Sequence, residues 1–349
     1  MKAVIVKEMG SEATVVDDFE IPVPGDDQIL VQSIYTAINP VDSYMASSGI
    51  LVLSWPLVLG CDASGVVVKA GQKAQGPTGP LKVGDAVLGC TRLGDKAYGT
   101  AQEYFLMDAA LTTPKPDNIS MAEAATVGVG FYTACLGVFD GLNIPIPRSL
   151  QELPHAGEEW ALVLGGSSSV GKFALQLLKA LGYKVVVTCS PKSSEMLRSL
   201  GASETLDYKK PETELLKLLY STTGGKLIRI FDAVASNHDF VKAFYENVEG
   251  EKFFSTTNDW TPFEPSDFNG ARISSVKLGS IGRPDAAELN NTITKLIPLM
   301  FHMLKTGMVQ PAEYELIGNT GFTSVIEAWG YQQTGKAGSK KVLVKLQDF

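Results

Sequence analysis

The run Gly165-Gly166-Ser167-Ser168-Ser169-Val170-Gly171 follows the apolar stretch Ala161 to Leu164. Behind it come Val170, Phe173, Ala174, Leu177, Leu178 and Leu181, spaced to form one helical face. A glycine-rich turn from strand to helix aims backbone N–H groups and a helix N-terminus at one point, which suits a dinucleotide pyrophosphate. Ser168 holds the place of the middle glycine in GxGxxG, so the fingerprint is broken, and a serine-rich helix cap is the other reading. The second strand, Lys184 to Cys189, runs into Ser190-Pro191-Lys192-Ser193. No carboxylate stands there to take a ribose 2′-hydroxyl, whereas hydroxyls and a lysine suit a 2′-phosphate, so NADPH is expected. Ser190 and Ser193 are also suited simply to cap the following helix.

Metal and thiol chemistry find less support. Cys61, Cys90, Cys135 and Cys189 are dispersed with no CxxC pair, which argues against a disulfide framework and for a reducing compartment. Catalytic zinc needs three convergent protein ligands, and no such spacing occurs, so no metal is expected. His155 lies in a proline-rich connection, His238 begins a helix and His302 lies within one, and each reads as structural or surface rather than catalytic.

Two kinds of patterning must position these residues. Up to about residue 125, short apolar runs broken by Gly and Pro (Ala3 to Lys7, Ile29 to Ile34, Ala63 to Val68, Asp85 to Gly89, Ala101 to Met107) predict a barrel or sandwich. Residues 71–80, rich in Gly and Pro, read as a loop. From Trp160 the rhythm becomes strand, helix, strand, helix, which predicts a parallel sheet covered on both faces. A helix over about Leu289 to Lys305 and a strand over Lys341 to Leu346 close the chain, the strand returning to the first domain. At 349 residues, two domains are expected at about 150 residues each. The net charge of −8 argues against nucleic acid as a partner. No apolar run spans a membrane and the N-terminus does not read as a signal peptide, so a soluble, cytoplasmic protein is expected.

With Ile38-Asn39-Pro40-Val41-Asp42, Gly60-Cys61-Asp62-Ala63-Ser64-Gly65 and Val83-Gly84-Asp85, these features resemble the medium-chain dehydrogenase/reductase superfamily over essentially the whole chain. The likeness is strongest to its zinc-free, quinone oxidoreductase-like branch, and within that to fungal trans-acting polyketide enoyl reductases. The closer cues are the Ile-Asn-Pro-x-Asp motif, the connection Asn143 to Glu158 and the Cys-Ser-Pro sequence at the end of the second strand. The resemblance implies an α/β fold with a GroES-like β-rich catalytic domain over 1–126 and 286–349. A Rossmann NADPH-binding domain, doubly wound, would occupy 127–285.

Carried over residue by residue, the resemblance implies that Pro40, Val41, Asp42 and Ser43 line the nicotinamide side, with Thr256 and Thr257 contacting its amide. Ser167, Ser168, Ser169 and Val170 would hold the pyrophosphate, and Ser190, Pro191, Lys192, Ser193 and Tyr208 the adenosine phosphate. Ala337 and Gly338 match a late cofactor contact. Val127-Gly128-Val129-Gly130-Phe131-Tyr132-Thr133-Ala134 and Val276-Lys277-Leu278-Gly279-Ser280 match segments bordering the substrate. The chain departs from zinc relatives at Gly60-Cys61-Asp62, where they carry Gly-His-Glu, and it lacks a cysteine-rich lobe. Tyr44 matches a tyrosine of bacterial quinone oxidoreductases, although a fungal polyketide partner enzyme has lysine there, and is the candidate proton donor or oxyanion partner. An aromatic packed against the cofactor is the other reading of Tyr44.

The implied reaction is NADPH-dependent reduction of a conjugated C=C in an enoyl thioester, presented by an acyl carrier of a polyketide synthase. A stand-alone quinone or alkenal reductase and a non-enzymatic NADPH-binding protein are the alternatives, and monomer and homodimer both remain open.

Overall fold

The computed structural model describes every residue except 148, 149, 151, 152, 154 and 349. Part of the proline-rich connection, Arg148 included, therefore lies outside the described residues. The chain forms two compact units, one from 1–132, 278–306 and 311–349, the other from 133–277 and 307–310. Sequence patterning had put the exchanges at 126/127 and 285/286.

The first unit is built on a largely antiparallel sheet. Its axis is the long strand Gln28–Ile38, flanked by Asp62–Ala70 on one side and by Lys341–Lys345 on the other. Ala86–Cys90 and Thr113–Pro114 extend the first side, Tyr314–Leu316 the second, and Tyr104–Asp108 pairs with the start of the axis strand. The C-terminal strand thus joins the first unit as the sequence indicated, with Val342 opposite Ile38. Ile29, Val31, Val67, Val87 and Phe105 point to one apolar cluster. At about 1.5–3 kcal/mol for each fully buried side chain, that cluster is enough to fix strand register.

Two features here were not read from the sequence. Residues 71–80 are not loop throughout, because Gln75–Gly76 pairs with Gly79–Pro80. Two-residue strands need no β-branched pattern, so a Gly- and Pro-rich hairpin satisfies the ladder. The Asn-Pro-x-Asp motif opens a helix, Pro40–Ser48, with proline in its first turn and Gly49 ending it at φ 71°.

The second unit is a six-stranded parallel sheet. Its order is Glu204–Asp207, Lys184–Cys189, Trp160–Leu164, Arg229–Asp232, Phe253–Thr256 and Arg272–Ser275. This is the doubly wound order, and the strand sequence reverses beside Trp160–Leu164, where ligands of such sheets bind at the carboxyl ends. Leu162, Leu164, Val186, Ile230 and Phe254 pack against Leu215 and Leu219 from the helix Glu212–Thr223 and against Val241 and Phe244 from His238–Tyr245. Among the described residues, no helix is long and apolar enough to cross a membrane.

Candidate functional site

Each unit carries a cluster of polar groups that includes positions the sequence singled out. In the second unit, the strand Trp160–Leu164 turns through Gly165, at φ 77°, into the helix Ser169–Ala180. The turn is tight on every side. A Cβ on Gly165 would lie 2.4 Å from Val234, and one on Gly171 would lie 2.3 Å from the Gly165 carbonyl oxygen. Glycine is therefore what lets the helix start this close to the strand end. The Gly165 N–H donates to Thr188 Oγ1 at 2.9 Å, and the Gly166 N–H to the Thr188 carbonyl at 2.9 Å.

Ser168 is the N-cap, its hydroxyl accepting the Gly171 N–H at 2.9 Å. The cap reading was thus right for Ser168, yet it does not account for Ser169. The Ser169 hydroxyl oxygen is shielded from water and has no hydrogen-bond partner among the described residues. Ser169 and Val170 occupy the first helical turn, where the helix offers their N–H groups no acceptor. A shielded hydroxyl beside free first-turn amides is a cradle for an anion.

The neighbouring strand ends carry further donors. Lys184–Cys189 leads into a 3-10 turn, Pro191–Ser193, in which the Ser193 N–H donates to the Ser190 carbonyl at 2.9 Å. The two hydroxyls stand 3.4 Å apart. Neither caps the next helix with its side chain. Lys192 is exposed and has no ion pair among the described residues. Tyr208 donates its N–H to the Cys189 carbonyl at 3.3 Å, and the residue is 56% exposed. Thr256 and Thr257 follow the fifth strand; Thr256 is buried, and Thr257 donates its N–H to the Asp232 carbonyl at 3.0 Å. Val276 bonds back to the Thr256 carbonyl at 2.9 Å.

The first unit holds a different kind of cluster. Asn39, Asp42, Asp62 and Lys341 are all buried. Lys341 Nζ donates to Asp62 Oδ2 at 2.9 Å and to Asn39 Oδ1. Asn39 Nδ2 donates to the same Asp62 oxygen at 3.0 Å, and Asp62 Oδ1 accepts the Val129 N–H at 2.6 Å. Asp42 accepts the N–H of Asn39 at 2.7 Å and of Gly60 at 3.1 Å. Burial pushes the Asp42 carboxyl up to about 7, against the pull of those two N–H donors and of the Lys341 charge; the Asp62 charge adds to the rise.

The remaining predicted residues of the unit fall on several elements. Pro40, Val41, Asp42, Ser43 and Tyr44 form the start of the helix Pro40–Ser48. Ser43 Oγ accepts Trp329 Nε1–H at 2.9 Å and Gln333 Nε2–H at 3.2 Å. Tyr44 is 61% exposed, and its hydroxyl has no partner among the described residues. Gly128 to Tyr132 open the helix Gly128–Cys135, with Phe131 and Tyr132 buried, while Thr133 and Ala134 belong to the second unit. Leu278–Ser280 is a 3-10 turn packed against Leu51, whereas Val276 and Lys277 fall in the second unit. Ala337 and Gly338 lie in the turn that leads into Lys341–Lys345. Lys341, Trp329 and Gln333 were not singled out from the sequence. The only signal for Lys341 was a lysine at the head of an apolar strand.

Zinc is chemically mismatched to this cluster. Its hydrogen bond with Cys90, and then burial, hold the Cys61 thiol well above its ordinary pKa, whereas zinc takes thiolate. Both Asp62 oxygens are engaged, one of them by an ammonium. Among the described residues no group of three His, Cys, Asp or Glu side chains is placed to hold a metal ion.

Comparison with known proteins agrees with the architecture. Residues 25–117 match the alcohol dehydrogenase GroES-like domain, and residues 169–257 match the domain named zinc-binding dehydrogenase. The chain is 35% identical to trans-enoyl reductase TOXD of Cochliobolus carbonum over 235 residues, 66% of this chain and 75% of that protein. It is 30% identical to 2-methylene-furan-3-one reductase of Solanum lycopersicum over 353 residues, 98% of this chain and 79% of that protein. The chain belongs to the medium-chain dehydrogenase/reductase superfamily. It is an oxidoreductase of that superfamily. Solved structures share the fold: the JamJ enoyl reductase matches with a TM-score of 0.76 at 19% identity, covering 99% of this chain and 100% of that one. The Escherichia coli quinone oxidoreductase complexed with NADPH matches with a TM-score of 0.73 at 19% identity, again over 99% and 100%.

Proposed function

We propose that this oxidoreductase uses NADPH to reduce the conjugated C=C of an enoyl thioester, acting in trans on chains carried by a polyketide synthase. The observation that carries the reading is the anion cradle at Ser169 combined with a second strand end that bears hydroxyls and Lys192 but no carboxylate. A pyrophosphate would accept from the first-turn N–H groups of Ser169 and Val170 and from the Ser169 hydroxyl. A 2′-phosphate would be held by Ser190, Lys192 and Ser193 with Tyr208 beside them. Pro40 to Ser43, Thr256 with Thr257, and Ala337 with Gly338 are the proposed nicotinamide contacts. The 127–134 and 276–280 segments are the proposed substrate border.

When bound, NADPH supplies a hydride to the β-carbon of the enoyl group. The work left to the protein is to stabilise the enolate and deliver a proton to the α-carbon, and neither task needs a metal. We assign this work to Tyr44. Its hydroxyl is accessible and uncommitted, so it can donate a hydrogen bond to the enolate oxygen or a proton to carbon. The relation to TOXD supports the enoyl reading, since that protein is named a trans-enoyl reductase.

The test is consumption of NADPH with a crotonyl-pantetheine substrate, with product analysis. The expected result is a saturated thioester, and NADPH preferred over NADH by about 10- to 100-fold, the worth of one charge-assisted hydrogen bond. Equal affinities for the two cofactors would remove the role of Ser190 and Lys192. Rapid quinone reduction with an untouched enoyl thioester would make this a quinone reductase.

A further inference from the structure

We propose that the buried Asp62–Lys341–Asn39 triangle is a positioning element that sets the Pro40–Tyr44 turn and the Val127–Tyr132 turn in fixed register within the first unit. The inference rests on the proposed roles of those two turns in the reductase, and it adds residues to which none of those roles was assigned.

The four groups come from separate parts of the chain. Asn39 precedes the helix Pro40–Ser48, Asp62 starts the strand Asp62–Ala70, Val129 lies in the first turn of Gly128–Cys135, and Lys341 heads the last strand. One carboxylate joins three of these segments to its own: Oδ2 takes Lys341 and Asn39, and Oδ1 takes the Val129 N–H at 2.6 Å. Gly128 makes that approach possible. A Cβ there would lie 2.1 Å from Asp62 Oδ1 and 2.8 Å from the Gly89 carbonyl oxygen.

The Pro40–Tyr44 turn is held at both ends. Asn39 is fixed by the triangle, Asp42 by the Gly60 N–H two residues before Asp62, and Ser43 by Trp329 and Gln333. Tyr44 follows directly. A buried ion pair is weak evidence of stabilisation, because apolar residues of similar volume often serve as well or better. Directional bonds to three fixed segments give what apolar packing does not, a defined separation between main-chain turns.

The experiment compares the full chain with Asp62→Asn/Lys341→Met, which removes both charges together, and with Asn39→Ala, which leaves the ion pair intact. Four quantities are measured: Tm, the NADPH Kd, kcat and KM for an enoyl thioester, and amide hydrogen exchange without ligand. The expected result for the double variant is a Tm within about 5 °C of the parent, since a neutral pair replaces a charged one. The NADPH Kd should stay within about 3-fold, because the phosphate contacts belong to the other unit, while kcat falls about 30-fold or more with KM changed far less. Asn39→Ala should lower kcat about 10-fold; the amides of residues 41–44 should exchange at least 10-fold faster in both variants, and the Val129 amide in the double variant, with 161–189 unchanged.

A double variant that keeps parental kcat and exchange rates would reduce the triangle to charge compensation and overturn the proposal. So would an NADPH Kd that weakens in step with kcat. If the double variant does not fold, Asn39→Ala decides by the same readings. Should the parent reduce no enoyl thioester, the reading of function fails, and the exchange rates still decide on positioning.

Discussion

Asp62 has both carboxylate oxygens taken, by Lys341 and Asn39 on one side and by the Val129 N–H on the other, whereas the Ser169 hydroxyl is equally hidden from water and has no partner among the described residues. The two regions meet the same constraint, that a shielded polar group needs a hydrogen bond, in opposite ways. In the first unit the demand is met internally, across four chain segments, and the result is fixed geometry. In the second it is left open at a helix N-terminus, where we propose that the cofactor pyrophosphate is held. The contrast separates positioning from binding: substitutions in the closed cluster should be felt in kcat, and in stability where they strand a buried charge, while those at the open loop should be felt in cofactor affinity.

The sharpest break in that contrast comes from Gly128→Ala. A methyl group placed 2.1 Å from Asp62 Oδ1 must push the helix away from the carboxylate and leave a buried charge short of a donor. A loss of about 3–5 kcal/mol in urea-denaturation stability is expected, or failure to fold. A stable variant with parental activity would mean that the helix start is not held by Asp62.

Asp42 sharpens the electrostatic half. Its folded pKa of about 7 lies above the ordinary carboxylate value of 3.8, so the folded state binds this proton more tightly than the unfolded state. Its effect is therefore a loss of stability as pH rises from about 4 to about 7, with no further change above that. Asp42→Asn lacks this dependence. The stability of the parent minus that of the variant should fall by about 2–3 kcal/mol between pH 5 and 7, at roughly 1.4 kcal/mol per unit, and then level off. Parallel pH profiles would show that Asp42 is not buried as a titrating group.

Tyr44→Phe should lower kcat about 10²-fold at unchanged NADPH affinity, equivalent to about 2.7 kcal/mol in the barrier. An unchanged kcat under chemistry-limited conditions would return the ring to a contact role. The smallest effect belongs to the open cluster. Ser169→Ala should weaken NADPH by about 10-fold, the lower end of what one hydrogen bond to a charged phosphate is worth, without lowering Tm. A Tm that drops instead would place Ser169 among the structural groups.

The same contrast explains how far the sequence could be read. The phosphate loop is legible because its chemistry is contiguous: Gly165, Ser168, Ser169 and Gly171 stand within seven residues, between an apolar strand and an amphipathic helix. The parallel order of the second unit follows from that alternation. The closed cluster has no such local signature. Asn39 and Lys341 are 302 residues apart, and only the antiparallel pairing of Gln28–Ile38 with Lys341–Lys345 brings them together. Pairing of the last strand with the first domain was readable because the nucleotide-type sheet is complete without it, but not which lysine would be buried by it. Gly60-Cys61-Asp62 was read as part of a family motif and as a departure from a metal motif, without a partner for Asp62, because that partner lies at the far end of the chain. The helix Pro40–Ser48 was missed for a related reason: Asn39 turns its side chain to Asp62 and Lys341, and Asp42 supplies the terminal acceptor.

The most direct test of the account is kcat/KM with NADPH for matched enoyl chains on a simple pantetheine mimic and on an acyl carrier domain, with a small quinone as the control. Contacts remote from the reacting carbons can be used for positioning. The carrier-bound chain is therefore expected to be reduced most efficiently, the mimic measurably but less so, and the quinone least. A quinone preferred by orders of magnitude, with no advantage from the carrier, would contradict the account.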